Sequence, residues 1–166
     1  VLAEPQRVKQ GARVTIIGGG TVGLETADLL VARGCVATLI EPQAVLAAGL
    51  SKSNRAEVID RLRAAGTDMR TRTSVTRASG TTLELRSADG AITQHEIGDY
   101  LVIAVGARPN LEVLPLLEEA RVPYVAVGDC YQPGDFMSCL RDAWMVGASI
   151  DYYAARVAIA GYRTRI

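Results

Sequence analysis

The chain has 166 residues, room for one domain or for a domain plus part of another, which excludes a multidomain enzyme that carries everything it needs. With 49% hydrophobic and 22% charged residues it has the balance of a globular domain with its own core, not of a disordered or collagen-like chain. Eighteen basic and eighteen acidic side chains cancel, so no net field draws it to nucleic acid or to an anionic membrane.

After a polar lead-in over 1–12, Val14-Thr15-Ile16-Ile17 is a short apolar run stopped by Gly18-Gly19-Gly20, which predicts a strand. From Thr21, Val22, Leu24, Ala27, Leu29, Leu30 and Val31 recur at helical spacing as far as Gly34, a residue suited to the position just past a helix end. Val36-Ala37-Thr38-Leu39-Ile40 is a second strand, closed by Glu41-Pro42. Strand, helix and strand in this order form a βαβ unit, whose crossover makes the two strands parallel. Ser53 or Asn54 is the expected cap of a second helix carrying Val58, Ile59, Leu62 and Ala65 and ending at Gly66. Residues 69–78, 81–87 and 92–97 are Thr-rich and alternating, and the Asp89-Gly90 turn signal joins the last two, so an antiparallel meander is expected. Tyr100 to Val105 is apolar throughout, as in a strand buried on both faces, and stops at Gly106-Ala107-Arg108-Pro109-Asn110. A short helix over 111–120, a strand over 122–127 closed by Gly128-Asp129, and a long apolar helix within 138–160 complete the chain. The fold class is α/β: a Rossmann-like parallel sheet with helices on both faces and an antiparallel β-meander.

Gly18, Gly20 and Gly23 form G-x-G-x-x-G where the first strand turns into the first helix. The first glycine permits the tight turn, the second lets a pyrophosphate touch the backbone, and the third lets helix and strand pack closely. Unpaired amides at the helix start, from Gly19 through Thr21 and Val22, then offer favourable charge to phosphates. Glu41 lies 18 residues beyond Gly23, at the end of the second strand, where an acid accepts hydrogen bonds from an adenosine ribose. A carboxylate there repels a 2′-phosphate, and 42–50 holds no basic side chain, Lys52 being the first. NAD, or the ADP half of FAD, is therefore preferred over NADP.

Other groups carry less. Cys35, Cys130 and Cys139 are an odd number without CxxC spacing, which argues against a disulfide framework or a metal site and fits a reducing, cytoplasmic compartment. His95, the sole histidine, is expected to face solvent on a hairpin strand, and Arg70, Arg72 and Arg77 to form an ordinary solvated face. No catalytic residue emerges: there is no Tyr-x-x-x-Lys, and a self-sufficient dehydrogenase needs a general acid or base near the nicotinamide. No apolar run is long enough for a transmembrane helix, and a start at Val1 without Met or a leader predicts a piece of something longer.

Several phrases together are more specific than the glycines. GGGTVGLETADLL, SNRAEVIDRLRAAG, YLVIAVGARPN and YVAVGDCYQP resemble, in order and spacing, the C-terminal nucleotide-binding region of NADH:flavin oxidoreductases of the Old Yellow Enzyme group, the 2,4-dienoyl-CoA reductase, 2-enoate reductase and trimethylamine dehydrogenase type, within the pyridine nucleotide-disulfide oxidoreductase superfamily. The resemblance implies that Glu25 lies near the nicotinamide, that the loop of Gly106 and Arg108 borders the nucleotide, and that Asp129 faces the ribityl or pyrophosphate side of FAD. Only one fingerprint is present, so the FAD site of the parent protein is expected upstream, leaving 13–122 as an NAD(H)-binding domain and 123–166 as a segment returning to an absent flavin domain. Two readings follow: a module passing hydride from NADH to a flavin held elsewhere, inactive alone, or a non-catalytic ADP/NAD-binding module. Leu140, Ala143, Trp144, Val146, Ile150, Tyr153, Ala154 and Val157 would lack their cover, which predicts a homodimer or, as the alternative, a segment folded back on its own domain.

Overall fold

A computed structural model describes residues 7–122, 124–149 and 151 of the chain. The chain divides into two compact units, Val1–Gly106 and Ala107–Ile166.

The first unit is built on four parallel strands, β1 (Arg13–Ile17), β2 (Val36–Ile40), β3 (Asp68–Arg70) and β7 (Tyr100–Ile103), in the order β3-β2-β1-β7. Helices α1 (Thr21–Ala32) and α2 (Lys52–Ala64) cover one face, where Val14, Ile16 and Leu39 meet Leu24, Leu30 and Leu62 in one buried cluster. The opposite face meets the meander β4 (Thr73–Ser79), β5 (Thr82–Ser87) and β6 (Ile92–Glu96), with Ile40, Leu83 and Leu85 buried between the layers. Alternation along β1 and β2 sends neighbouring residues to different cores, which is why both strands read as unbroken apolar runs. The α/β class, the parallel sheet and the meander are those the sequence predicts; helices on both faces are not found among the described residues of this unit, because the meander takes the face opposite α1 and α2.

Three local expectations change in this unit. The cap of α2 is Ser51, whose Oγ accepts from Asn54 N at 3.4 Å, because the helix begins at Lys52, six residues ahead of Val58, where its apolar stripe starts. The strand expected over 69–78 is two strands: β3 pairs in parallel with β2, and β4 joins the meander after a break at Thr71-Arg72. Arg72 makes that break with φ +52. β7 is not buried on both faces. It is the edge strand, and Ile103, on the meander side, is 68% exposed because the meander's inner residues reach only β1 and β2.

The second unit holds α3 (Leu114–Glu119), a 3-10 turn at Gly128–Cys130 and α4 (Phe136–Ala148). Asp135 caps α4 by accepting from Ser138 N at 2.7 Å. No strand forms over the described part of 122–127, where Val125 makes an isolated β-bridge that is not extended into a ladder. Along α4, Phe136, Met137, Leu140 and Trp144 are exposed, Trp144 by 73%. The expected continuation of this helix to 160, with Ile150, Tyr153, Ala154 and Val157, falls outside the described residues. No described helix is long and apolar enough to cross a membrane.

Candidate functional site

At the C-terminal end of the parallel strands the chain closes on itself around the glycines. Gly18 takes φ +103 and donates its N–H to Ile40 O at 2.8 Å, so the turn begins while the β1–β2 ladder is still being continued. A Cβ on Gly18 would lie 2.3 Å from Ala104 O, and one on Gly23 only 1.9 Å from Gly18 O. Both collisions are with backbone, so these two glycines are demanded by packing alone.

Gly20 differs. Its φ of −66° and ψ of −174° suit any residue, it is exposed, and a Cβ there would meet nothing within 4 Å. Neither conformation nor packing within the chain explains a glycine at this point. Gly20 is the N-cap of α1, whose first intrahelical bond runs from Leu24 N to Gly20 O at 2.9 Å. The amides of Thr21, Val22 and Gly23 precede that bond and point out of the helix start. No side chain caps this end and no acid lies in its first turn, so the positive end of the helix dipole is left uncompensated.

Glu41 stands beside this turn. It is buried, and both carboxylate oxygens are engaged: Oε2 accepts from Gly19 N at 2.6 Å and Oε1 from Gln43 N at 2.7 Å. Each oxygen has two acceptor positions, so one remains on each for a further donor. Gly19 is held from its other side as well, its carbonyl accepting from Ala47 N at 2.7 Å. The loop carrying buried Leu46 and Ala47 thus forms one wall of the turn, a role with no local sequence signal.

The remaining candidates divide between the two units. Ala104, just beyond β7, lies against both Gly18 and Gly23, which brings the following Gly106 (φ +91) to the margin of the turn. Glu25 is exposed one helical turn beyond Thr21. Arg108 and Asp129 belong to the second unit and are exposed there, Asp129 Oδ1 accepting from Gly134 N at 3.2 Å and from the Cys139 thiol at 3.4 Å. That contact with Asp129 raises the Cys139 pKa, which keeps the thiol protonated.

His95 does not face solvent as its alternating strand suggests. Leu83 pairs with His95 across β5 and β6, and Leu83 is buried, so His95 turns inward to Thr15 Oγ1 at 2.8 Å from Nε2. The Thr15 hydroxyl donates to Ile97 O at 2.8 Å, so its oxygen accepts from an Nε2–H. Burial, with Arg70 nearby, lowers the His95 pKa below 6.5, against smaller opposing effects of Asp68 and Glu96. An unfolded chain therefore protonates first, and the contribution of His95 to stability is complete above 6.5 and lost as pH falls through the folded-state pKa. Thermal melts between neutral and mildly acid pH should show a wild-type advantage over His95→Gln that shrinks on acidification; a constant difference would place His95 in solvent.

The pyridine nucleotide-disulphide oxidoreductase family pattern matches residues 3–133. The chain is 38% identical over 118 residues to bilirubin reductase of Mediterraneibacter gnavus (strain CC55_001C), covering 71% of this chain and 18% of that protein. It is 26% identical over 154 residues to NADH oxidase of Thermoanaerobacter brockii, covering 90% of this chain and 23% of that one. Among solved structures, histamine dehydrogenase from Rhizobium sp. 4-9 superposes with a TM-score of 0.73 at 15% identity, over 86% of this chain and 22% of that chain, a likeness of fold. The chain thus spans about a fifth of the length of these relatives.

Proposed function

We propose that this chain, which belongs to the pyridine nucleotide-disulphide oxidoreductase family, is the NAD(H)-binding domain of a larger flavin-dependent oxidoreductase. The observation that carries this reading is Gly20: a glycine that neither backbone nor neighbours require, set at an uncapped helix start. Such a position is explained by a ligand backbone that must come closer than a methyl group allows. The bound dinucleotide supplies a hydride, and the flavin of the parent protein accepts it. This chain's own part is to hold the pyrophosphate on the amides of Thr21, Val22 and Gly23 and the adenosine ribose on the two remaining acceptor positions of Glu41.

Gly106 and Glu25 lie toward the nicotinamide half in this reading, and Asp129 belongs to the part that meets the flavin domain. We place the NAD(H)-binding domain at 13–122 and the returning segment at 123–166. The apolar stripe of α4 then belongs to that return, and a homodimer is how the isolated chain would cover it. The activities after which these relatives are named, bilirubin reductase and NADH oxidase, agree with an oxidoreductase parent, and the small share of each that this chain spans agrees with flavin and substrate sites lying outside it.

Gly20→Ala tests the reading directly. The new methyl meets open space, so thermal stability should stay within about 1 kcal/mol of wild type. It would stand where the pyrophosphate comes closest, and NADH affinity should fall by roughly tenfold or more, since a tenfold loss needs only about 1.4 kcal/mol of steric conflict. A variant that folds and titrates with NADH like the wild type would overturn the assignment.

A further inference from the structure

The three arginines that sequence treats as one face are dispersed by the fold, and one of them arrives at the acidic end of β2. In the parallel pairing of β2 with β3, Ile40 stands opposite Arg70. Beyond the ladder the two chains stay stitched together: Glu41 N donates to Arg70 O at 2.9 Å, Thr73 N to Glu41 O at 3.0 Å, and Arg72 N to Gln43 O at 3.1 Å. Gln43 N in turn donates to Glu41 Oε1. Arg72 is therefore one backbone hydrogen bond from the residue that holds the Glu41 carboxylate.

Arg72 shares two features with Arg121 of the second unit, and what distinguishes it is its bond to Gln43 beside the Glu41 carboxylate. It is an exposed non-glycine residue at φ +52, a conformation that glycine or asparagine would adopt more readily, so the turn does not account for an arginine. Among the described residues its guanidinium has no ion-pair partner, whereas Arg70 is held by Asp68, Arg61 by Asp28 and Arg63 by Asp60. A cation is thus carried on the chain beside Gln43, 22 positions past the end of the loop 42–50 in which sequence looks for one.

We infer that Arg72 is a specificity-determining residue that takes the 2′-phosphate of NADPH, so that Glu41 biases the site toward NADH without closing it to NADPH. The inference rests on the dinucleotide reading above. A carboxylate repels a 2′-phosphate, but a guanidinium offers it a planar pair of donors, and the two side chains together bring the local charge near zero. The unphosphorylated ribose needs only Glu41.

Calorimetric titration of the full chain with ADP and with 2′,5′-ADP separates the possibilities. Arg72→Ala should weaken 2′,5′-ADP by roughly tenfold or more, the loss of a charge-assisted pair, while ADP stays within about twofold. Arg72→Lys, which keeps the charge, should retain most of the 2′,5′-ADP affinity. Alanine and lysine meet the same restriction at φ +52 as arginine does, so both variants leave the turn as it is. Equal weakening of both nucleotides by Arg72→Ala, the signature of adenine stacking, would overturn the inference, as would no change in either. A wild-type chain that binds ADP but not 2′,5′-ADP would also overturn it. A wild-type chain that binds neither defeats the dinucleotide reading itself, a result distinct from the failure of Arg72.

Discussion

Gly23→Ala should lower the melting temperature of the chain by about 10 °C or more and remove NADH binding with it. A Cβ at this position would stand 1.9 Å from Gly18 O and 2.9 Å from Gly18 C, both backbone atoms of the turn that ends β1. Gly18 has no room to retreat, because its N–H is bonded to Ile40 O and a Cβ of its own would already strike Ala104 O. Relief must come from moving α1 away from the sheet, and α1 contributes Leu24, Ala27 and Leu30 to the main core. Overpacking of this kind costs about 1–3 kcal/mol and more where neighbours cannot yield. At roughly 4–8 °C per kcal/mol for a unit of this size, that predicts the loss stated. Differential scanning calorimetry of Gly23→Ala beside Gly20→Ala checks it, because both add the same methyl to the same turn and only one meets an atom. A Gly23→Ala chain melting within about 2 °C of wild type would mean that helix and strand do not pack in the way described.

What sequence reveals of this molecule follows from how local each determinant is. β1, α1 and β2 are fixed by contiguous apolar runs and by glycines at their joints, and they stand where their residues predict. The meander's last turn is set by Asp89 and Gly90 alone, the Asp89 carboxylate accepting from Ala91 N. Failures begin where the answer depends on a distant partner. Residues 69–78 read as one alternating stretch because β3 and β4 share composition, and only pairing with β2 or β5 tells them apart. Tyr100 to Val105 reads as a central strand, yet the place of β7 at the sheet edge is a matter of order and not of composition. His95 shows the same limit in miniature, since its neighbours on the strand are polar and what turns it inward is Leu83 opposite.

The site divides along the same line. The glycines and Glu41 are legible because each answers a local demand: a positive φ, a close approach, a strand end beside a helix start. The spacing of the motif already gives each glycine its own demand. The space around each Cβ position agrees for packing, which is tight at Gly18 and Gly23 and open at Gly20. Leu46, Ala47 and Arg72 reach the turn from segments whose own composition points nowhere near a nucleotide, by hydrogen bonds and contacts to Gly19 and Gln43.

Glu41→Ala should cut NADH affinity by roughly tenfold or more, the cost of a lost charge-assisted hydrogen bond being on the order of 1.5–3 kcal/mol. Affinity alone would not prove a ligand contact, because the carboxylate also fastens the turn. Without it the buried Gly19 N–H loses its acceptor, whereas Gln43 N, in an exposed stretch, has water to turn to. One orphaned buried donor costs about 1–3 kcal/mol, so the variant should also melt several degrees lower, and a loosened turn would weaken every dinucleotide alike. The ratio of NADH to NADPH affinity separates the two effects. Deformation of the turn leaves that ratio unchanged, but removal of a negative charge beside the 2′ position relieves NADPH of a repulsion that NADH never met. Titrations of wild type and Glu41→Ala with both nucleotides should therefore show a preference for NADH that narrows by about tenfold when the carboxylate is gone. An unchanged ratio, with both affinities lowered together, would make Glu41 a structural clamp and take the ribose contact out of the account.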